Sequence, residues 1–241
     1  MSDPVRLSRR VAELARCSRA EAEQYVQGGW VKVDGRVVEE PQRMVGAAEA
    51  IEIDHAARLQ ANEPATILLH KPAGFDAIAA PRPAAALVGE QSRWSEDASG
   101  VRLLGQHFQR LVPLAPLERE ASGLVVLSQD GRVRRRLVED WDAIEQEFVV
   151  EVAGTAGPWT LGQLNHGLRF EGRAVPPCKV SWQNETRLRF AIKAVREGQL
   201  RDMCAQVGLE VVTIRRIRIG RIPLAKMPPG CWRYLPVGER F

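Results

Sequence analysis

Residues 114–131 read LAPLEREASGLVVLSQDG, and this stretch predicts a buried strand that is entered through an acidic loop. The apolar run Leu124–Leu127 lies between a Ser-Gly pair and an Asp-Gly pair, which is typical of a buried strand. A carboxylate on the loop before such a strand is held at the sheet edge, where functional sites are often found. Glu118 and Glu120 are therefore candidate site residues, and the alternative is that both are solvated loop charges.

The composition favours a globular protein with one large and one small domain, since the chain has 241 residues. Hydrophobic residues make up 45% and charged residues 27%, which is ordinary for soluble proteins. No apolar run comes near the roughly 18 residues that span a bilayer, and the first residues lack the apolar core of a signal peptide. We therefore expect a cytoplasmic location and no membrane partner.

The cysteine pattern argues against a metal centre. The four cysteines are far apart and none forms a Cys-x-x-Cys pair: Cys17, Cys178, Cys204 and Cys231. Zinc ligation and a disulfide framework are both disfavoured by this spacing, and free thiols in a reducing compartment fit better. We expect no metal site.

The basic residues are concentrated near the C-terminal end, although the net charge is only +4. Residues 1–60 and 61–180 carry net charges of −1 and −2, whereas residues 181–241 carry 12 basic and 5 acidic side chains. Clustered Arg and Lys side chains suit a polyphosphate partner, because each neutralised phosphate releases counterions. The alternative is a solvated basic face, which charge alone does not exclude.

Residues 1–59 have the pattern of two short helices followed by a hairpin. The apolar residues of the first predicted helix recur at helical spacing: Leu7, Val11, Leu14 and Ala15. Ser18 begins a second helix, with Glu21 completing a capping box and Gly28-Gly29 ending the helix. Asp34-Gly35 between two β-branched runs predicts a hairpin, and a strand at residues 51–53 closes the unit.

This N-terminal pattern resembles the small RNA-binding module of a small-subunit ribosomal protein, which also occurs in tyrosyl-tRNA synthetases and RNA-modifying enzymes. The resemblance implies that the first helices bind structured RNA. The basic side chains that would make the contacts are Arg6, Arg9, Arg10, Arg16 and Arg19. The alternative is a two-helix module that merely carries surface arginines.

A polar linker is predicted at residues 56–64, and the boundary between the first domain, residues 1–59, and the second, residues 60–241, lies within it. The first elements of the second domain are a buried strand at Ile67–His70 and a turn at Lys71–Phe75. Residues 79–109 predict a long surface segment with one short helix. Strands are predicted at 146–153, 187–194 and 211–219, and a short helix at 199–207 presents Arg201.

The last predicted strand carries Arg215, Arg216 and Arg218, which predict a track for RNA phosphates. The alternative is a solvated edge strand whose charges prevent pairing with other chains. Both interpretations place these arginines on the surface.

Several fragments resemble the motifs of bacterial RNA pseudouridine synthases of the RsuA/RluB/RluF type. His70-Lys71-Pro72-x-Gly74 resembles their Lys-Pro-x-Gly turn, and residues 113–131 resemble their central motif. Residues 196–204, REGQLRDMC, resemble a third motif, and the stretches 208–220 and 229–233 are also similar. Together with the N-terminal module, the resemblance covers almost the whole chain.

This resemblance implies that the chain isomerises a uridine in structured RNA, with rRNA favoured over tRNA, and that it uses no cofactor. In the family a carboxylate attacks the uridine, and the uracil detaches, rotates and rejoins its sugar through carbon 5. By motif position, Glu118 is the nucleophile, Arg201 its ion-pair partner and Phe148 the aromatic wall that stacks on the uracil. In addition to the five N-terminal arginines, the RNA-binding residues are predicted to be Lys71, Arg215, Arg216 and Arg218.

The chain departs from the family motif at five positions. The sequence has Glu118 for Asp, Pro116 for Arg, Ala121 for Thr, Gln146 for Lys and Phe148 for Tyr. An extra methylene moves the carboxylate by about an ångström, which can cost on the order of a hundredfold in rate. Phe148 keeps the ring face needed for stacking but has no hydroxyl to move a proton from carbon 5.

We therefore predict an α+β fold, with a two-helix plus hairpin RNA-binding module followed by a mixed, mostly antiparallel sheet flanked by helices. The first functional hypothesis is an isomerase that converts uridine in RNA to pseudouridine. The alternative is a catalytically silent RNA-binding protein of the same fold that acts as a chaperone or assembly factor. Structured RNA is the expected partner, and the chain is expected to be a monomer.

Overall fold

The computed structural model describes residues 3–59, 63–78 and 81–241. The chain divides into an N-terminal unit, Met1–Pro64 with Arg102–Gln109, and a C-terminal unit, Ala65–Val101 with Arg110–Phe241. Parts of the predicted linker and surface segment, residues 60–62 and 79–80, lie outside the described residues. Within the described ranges, none of the helices has the length and apolar character needed to cross a membrane.

The N-terminal unit consists of two helices and short strands. Its elements are β1 (Val5–Arg6), α1 (Leu7–Ala15), α2 (Arg19–Gln27), β2 (Val31–Val33), β3 (Arg36–Val37), β4 (Met44–Val45) and β5 (Ile51–Ile53). β2 lies between β3 and β5 in an antiparallel sheet, and β1 pairs with β4. The predicted order of two helices, hairpin and closing strand is confirmed.

Local sequence explains these elements. The Ser18 side chain accepts the Glu21 amide while the Glu21 carboxylate accepts the Ser18 amide, so the predicted capping box is present. Asp34 and Gly35 both have positive φ angles, 49° and 78°, as a two-residue hairpin turn requires. The predicted apolar face of α1 is partly wrong: Leu7 and Val11 are fully buried, but Leu14 is 51% exposed.

The C-terminal unit is built around a nine-stranded sheet. In chain order, its first elements are β6 (Thr66–Lys71), β7 (Val112–Leu114), β8 (Ser122–Ser128), α3 (Gly131–Glu139), β9 (Gln146–Ala153) and α4 (Thr160–His166). The later elements are β10 (Arg169–Phe170), β11 (Arg173–Ala174), β12 (Lys179–Asn184), β13 (Arg187–Ile192), α5 (Gln199–Gln206), β14 (Glu210–Ile219), β15 (Ile222–Pro223) and β16 (Trp232–Tyr234).

The strand order in this sheet is β12-β13-β9-β14-β8-β6-β16, with β15 paired to β14 and β7 paired to β8. Among the described residues, β8 and β14 are the one parallel pair in this sheet, and the other pairs are antiparallel. The predicted α+β class with a mixed, mostly antiparallel sheet is therefore confirmed.

The core strands are buried as the sequence predicts. β6 is buried along its whole length, and β8 from Gly123 onward. One apolar cluster includes Phe148, Phe190 and Leu200, and a second includes Leu68 and Leu124. The strand β8, which contains the apolar run Leu124–Leu127, therefore lies at the centre of the unit, between β6 and β14.

The segment predicted as surface with one short helix is more structured than expected. Its described part contains 3-10 helices at Ala84–Leu87, Glu90–Ser92 and Gly105–Phe108. Ala84 and Leu104 are buried. Sequence periodicity missed these turns because each is too short to complete two helical turns.

Candidate active site

Glu118 lies on the seven-residue connection between β7 and β8, residues 115–121, which we call the Glu118 loop. Its Oε2 accepts a hydrogen bond from the Arg201 Nε at 2.8 Å, and its Oε1 accepts one from the Gly198 amide at 2.9 Å. The Glu118 side chain is 15% exposed and that of Arg201 is 37% exposed. The structure thus brings together the predicted carboxylate and arginine.

The start of α5 provides both donors. Gly198 has a φ of +78°, a left-handed conformation that glycine adopts without the steric cost of a Cβ, and it immediately precedes the helix. Arg201 is the third residue of α5. A helix N-terminus carries unpaired amides and a partial positive charge, so it stabilises a carboxylate at this position.

This arrangement fixes the orientation of the Glu118 carboxylate without using all of its hydrogen-bond acceptor sites. A carboxylate offers about four lone-pair sites, and the two bonds above use one on each oxygen. The group is therefore oriented by two donors while part of it remains accessible. An oriented, partly exposed carboxylate beside an arginine can act as a nucleophile or a base. Glu120, by contrast, is 70% exposed, consistent with a solvated loop charge.

Phe148 is almost completely covered. It is 2% exposed on β9 and belongs to the same core cluster as Ala121, Leu200 and Met203. Its neighbours in the sheet are Phe190 on one side and Arg216 on the other. Its stacking on a uracil stays a prediction, because a base would need access to a ring face that is now packed.

The predicted role of Lys71 as an RNA contact is corrected by the structure. Lys71 is 0% exposed, so RNA phosphates cannot reach its ammonium. Its Nζ donates to main-chain carbonyls of four residues: Pro72 (3.2 Å), Phe75 (2.7 Å), Arg119 (3.0 Å) and Ala121 (2.6 Å). Burial lowers the pKa of Lys71 to about 8.

The predicted phosphate contact by Arg216 is corrected for the same reason. Arg216 is 0% exposed and burial lowers its pKa to about 9. Its guanidinium donates to the carbonyls of Ala115 (2.6 Å), Pro116 (2.9 Å) and Leu124 (2.8 Å) and to the Gln146 Oε1 (3.1 Å). Alternation along β14 could have signalled this burial, because Arg216 lies on the same strand face as the buried Ile214.

The other two arginines of β14, Arg215 and Arg218, differ in their exposure and in their ion pairs. Arg215 is exposed and can meet a phosphate. Arg218 is partly buried, and its guanidinium pairs with Glu145 at 2.5 Å and Glu147 at 2.8 Å. Glu147 also pairs with Arg189 on β13. The predicted basic track on β14 is therefore reduced, because two carboxylates offset the charge of Arg218.

The five N-terminal arginines are all exposed. Three of them, Arg6, Arg9 and Arg19, line an open cleft of about 620 Å³ on the N-terminal unit. Arg9 and Arg10 pair with Glu13, and Arg19 pairs with Glu23. Exposed pairs of this kind contribute little, so the arginines can turn toward a phosphate at small cost.

The chain matches a family model, a solved structure and several full-length relatives. The model of the S4 domain matches residues 5–51. A crystal structure of a pseudouridylate synthase matches with a TM-score of 0.61 at 21% identity, covering 96% of this chain and 96% of that chain. The latter likeness shows that the two chains share a fold.

Homologues extend over nearly the full chain and are named as pseudouridine synthases of the RsuA/RluB/RluF type. The ribosomal large subunit pseudouridine synthase B of Bacillus subtilis is 27% identical, over 97% of this chain and 93% of its own. The ribosomal small subunit pseudouridine synthase A of Pseudomonas aeruginosa is 28% identical, over 98% of both chains. The dual-specificity RNA pseudouridine synthase RluF of Escherichia coli is 25% identical, over 98% of this chain and 77% of its own.

Proposed function

We propose that this protein is an RNA pseudouridine synthase, an isomerase that acts on a specific uridine in structured RNA. The observation that carries the proposal is the Glu118–Arg201 pair at the start of α5, 2.8 Å between Oε2 and Nε. The motif resemblance assigns these two residues the roles of acid and arginine, and relatives named as pseudouridine synthases match nearly the whole chain, which supports the proposal. The pseudouridylate synthase fold supports the same conclusion.

In the proposed reaction, the uridine leaves its stack and enters the space beside Glu118. A Glu118 carboxylate oxygen bonds to C1′ as the bond between C1′ and N1 breaks, which leaves the electron pair on the uracil. The uracil turns, C5 bonds to C1′ as the bond between C1′ and the carboxylate oxygen breaks, and C5 loses its proton while N1 gains one. The carboxylate is regenerated, and the product is an isomer of the uridine. Arg201 and the Gly198 amide hold the carboxylate in one orientation throughout.

The glutamate differs by one methylene from the aspartate of the family motif, and the geometry indicates how the loop accommodates it. Glu118 reaches both donors at 2.8–2.9 Å, so the longer side chain is matched to the start of α5. This fit is consistent with catalysis, because it holds a partly exposed carboxylate in one orientation, as a nucleophile requires.

We assign RNA binding to residues 1–59 and the chemistry to residues 60–241. The S4 domain match and the exposed arginines of the N-terminal unit support the first assignment. Two of the named relatives act on ribosomal subunits, so we propose rRNA as the substrate class. We further propose that the protein acts in the cytoplasm as a monomer.

Tritium release tests the proposed function. The purified protein is incubated with rRNA that carries tritium at carbon 5 of uridine, and RNA binding is measured in the same samples. We expect release by the wild-type protein and none by Glu118→Ala. Binding without release by the wild-type protein would favour the silent RNA-binding alternative.

Arg201→Gln is expected to lower kcat by about a hundredfold, because the carboxylate loses its charge partner and half of its orienting bonds. Arg201→Lys keeps the charge without the aligned Nε donor, so its kcat should lie between those of wild type and Arg201→Gln. Single-turnover rates at saturating RNA measure the effect. Equal rates for wild type and Arg201→Gln would exclude this role of Arg201.

Neutralising three exposed arginines of the N-terminal unit, Arg9, Arg10 and Arg16, by glutamine is expected to weaken RNA binding. If each contacts one phosphate, the slope of log K against log salt concentration should fall in magnitude by about 0.7–0.9 per contact. Binding titrations at several salt concentrations measure this slope. Arg36→Gln, which removes an exposed charge from the hairpin of the same unit, is the control. An unchanged slope in the triple variant would rule out phosphate contacts by these side chains.

A further inference from the structure

The Glu118 loop is held by two buried cations that approach its backbone from opposite ends. Arg216 donates to the carbonyls of Ala115 and Pro116, which precede Glu118. Lys71 donates to the carbonyls of Arg119 and Ala121, which follow it. Four of the seven loop carbonyls therefore point at a buried positive charge.

Each cation is also anchored to the sheet. Arg216 bonds the carbonyl of Leu124 on β8 and the side chain of Gln146 on β9. Lys71 ends β6, and its ammonium also bonds the carbonyls of Pro72 and Phe75 in the turn that follows. The loop is thus tied to four adjacent strands, β9, β14, β8 and β6, and to one turn of the C-terminal unit.

Two features of the loop backbone depend on its hydrogen bonds to Lys71 and Arg216. Ala115 has a φ of +58°, a left-handed conformation that is unfavourable for a residue with a Cβ, and Arg216 bonds its carbonyl at 2.6 Å. The Arg119 carbonyl is shared between Lys71 and the Gly74 amide, so the loop and the 72–75 turn are fastened together. Without the two cations, several inward-pointing carbonyls would lose their donors.

We propose that Lys71 and Arg216 are positioning residues that fix the Glu118 carboxylate for catalysis by holding the loop backbone on both sides of it. The inference rests on the proposed function, because it assigns the two residues a role in that reaction. They bond the loop and do not touch the RNA. A displacement of Glu118 by about an ångström would be enough to lower the rate on the order of a hundredfold.

Both hydrogen exchange and kinetics test this proposal, using Lys71→Met and the milder Arg216→Lys. Arg216→Lys keeps the charge but replaces the planar fork, whose separate nitrogens reach Leu124, Pro116 and Ala115, by a single nitrogen on a shorter side chain. It remains informative if Lys71→Met does not fold. Faster exchange is expected at the Ala121 and Gly74 amides, whose acceptors are the loop carbonyls of Glu118 and Arg119. At saturating RNA, kcat should fall roughly tenfold to a hundredfold, with the Kd for RNA within about twofold of wild type.

Arg233→Met is the matched control. Arg233 is a buried cation of the same unit that bonds the carbonyls of Pro223 and Tyr234 and makes no hydrogen bond to the Glu118 loop. This variant should lose stability while the loop exchange and kcat of its folded fraction stay at wild-type values. A merely structural role for Lys71 and Arg216 would make all three variants behave alike.

The proposal is overturned if the folded Lys71→Met and Arg216→Lys proteins show wild-type exchange at these amides, or wild-type kcat. Failure of the proposed function gives a different result. In that case the wild-type protein releases no tritium, while the exchange measurements still report whether the two cations hold the loop.

Discussion

Replacing Glu118 by glutamine is expected to reduce the rate of pseudouridine formation by about a thousandfold or more, as for the loss of other catalytic nucleophiles. Glutamine is nearly isosteric with glutamate, and its side-chain oxygen can still accept the Gly198 amide. The variant therefore removes the nucleophilic charge while it leaves the loop in place. RNA binding should be almost unchanged, since Glu118 is a single, mostly buried side chain and the exposed arginines of the N-terminal unit are unaltered.

Glu118→Asp tests the length of the side chain separately from its negative charge. The aspartate keeps the charge, but its shorter side chain retracts from Arg201 and Gly198, which Glu118 contacts at 2.8 and 2.9 Å. We expect a loss of roughly tenfold to a hundredfold in kcat. A gain would contradict the conclusion that this loop is matched to glutamate.

Glu120→Gln is the control for both variants. Glu120 lies two residues further along the same loop and is 70% exposed, so its loss should leave the rate within about twofold. Rates are measured under single-turnover conditions with tritium-labelled RNA. A Glu118→Gln protein with wild-type activity would exclude Glu118 as the nucleophile.

Gly123→Ala is expected to destabilise the C-terminal unit by more than about 4 kcal/mol, which is large for a single substitution. Gly123 has a φ of +119°, and a Cβ placed there would lie 2.3 Å from the carbonyl oxygen and 2.5 Å from the amide nitrogen of Arg216. Both atoms belong to the backbone of β14, the strand that pairs in parallel with β8 at this point. The sheet would have to separate locally to admit one methyl group.

Gly131→Ala provides the comparison for this prediction. Gly131 is the first residue of α3, and no atom lies within 4 Å of a Cβ added there. Alanine has the higher helix propensity, so this variant should be as stable as wild type or slightly more stable. Denaturant unfolding of both variants measures the difference. A Gly123→Ala protein within about 1 kcal/mol of wild type would contradict the close approach of β8 and β14.

The capping box at Ser18, the Asp34-Gly35 hairpin and the buried strands β6, β8 and β9 could be predicted from the sequence. Each depends on a local pattern: a side chain that caps a helix, a turn that needs positive φ, or a short apolar run. The pairing of Glu118 with Arg201 was predictable only from the family resemblance, because 82 residues separate the two in the chain.

The burial of Lys71 and Arg216, and their hydrogen bonds to the Glu118 loop, could not be predicted from local sequence patterns. Charged residues are usually exposed, so the sequence predicts that Lys71 and Arg216 contact RNA, whereas both are completely buried. Their burial depends on backbone carbonyls of residues 48 or more positions away in the chain. The Gly198 amide carries no sequence signal at all as a donor, since every residue except proline has one.

Direct quantitation of pseudouridine tests the central claim. Unmodified rRNA is incubated with wild-type protein or Glu118→Gln, digested to nucleosides and analysed by liquid chromatography with mass spectrometry. We expect pseudouridine to appear with the wild-type protein, in an amount that approaches one per RNA molecule, and to stay at background with Glu118→Gln. Background levels with a wild-type protein that binds the same RNA would contradict the assignment of this protein as a pseudouridine synthase.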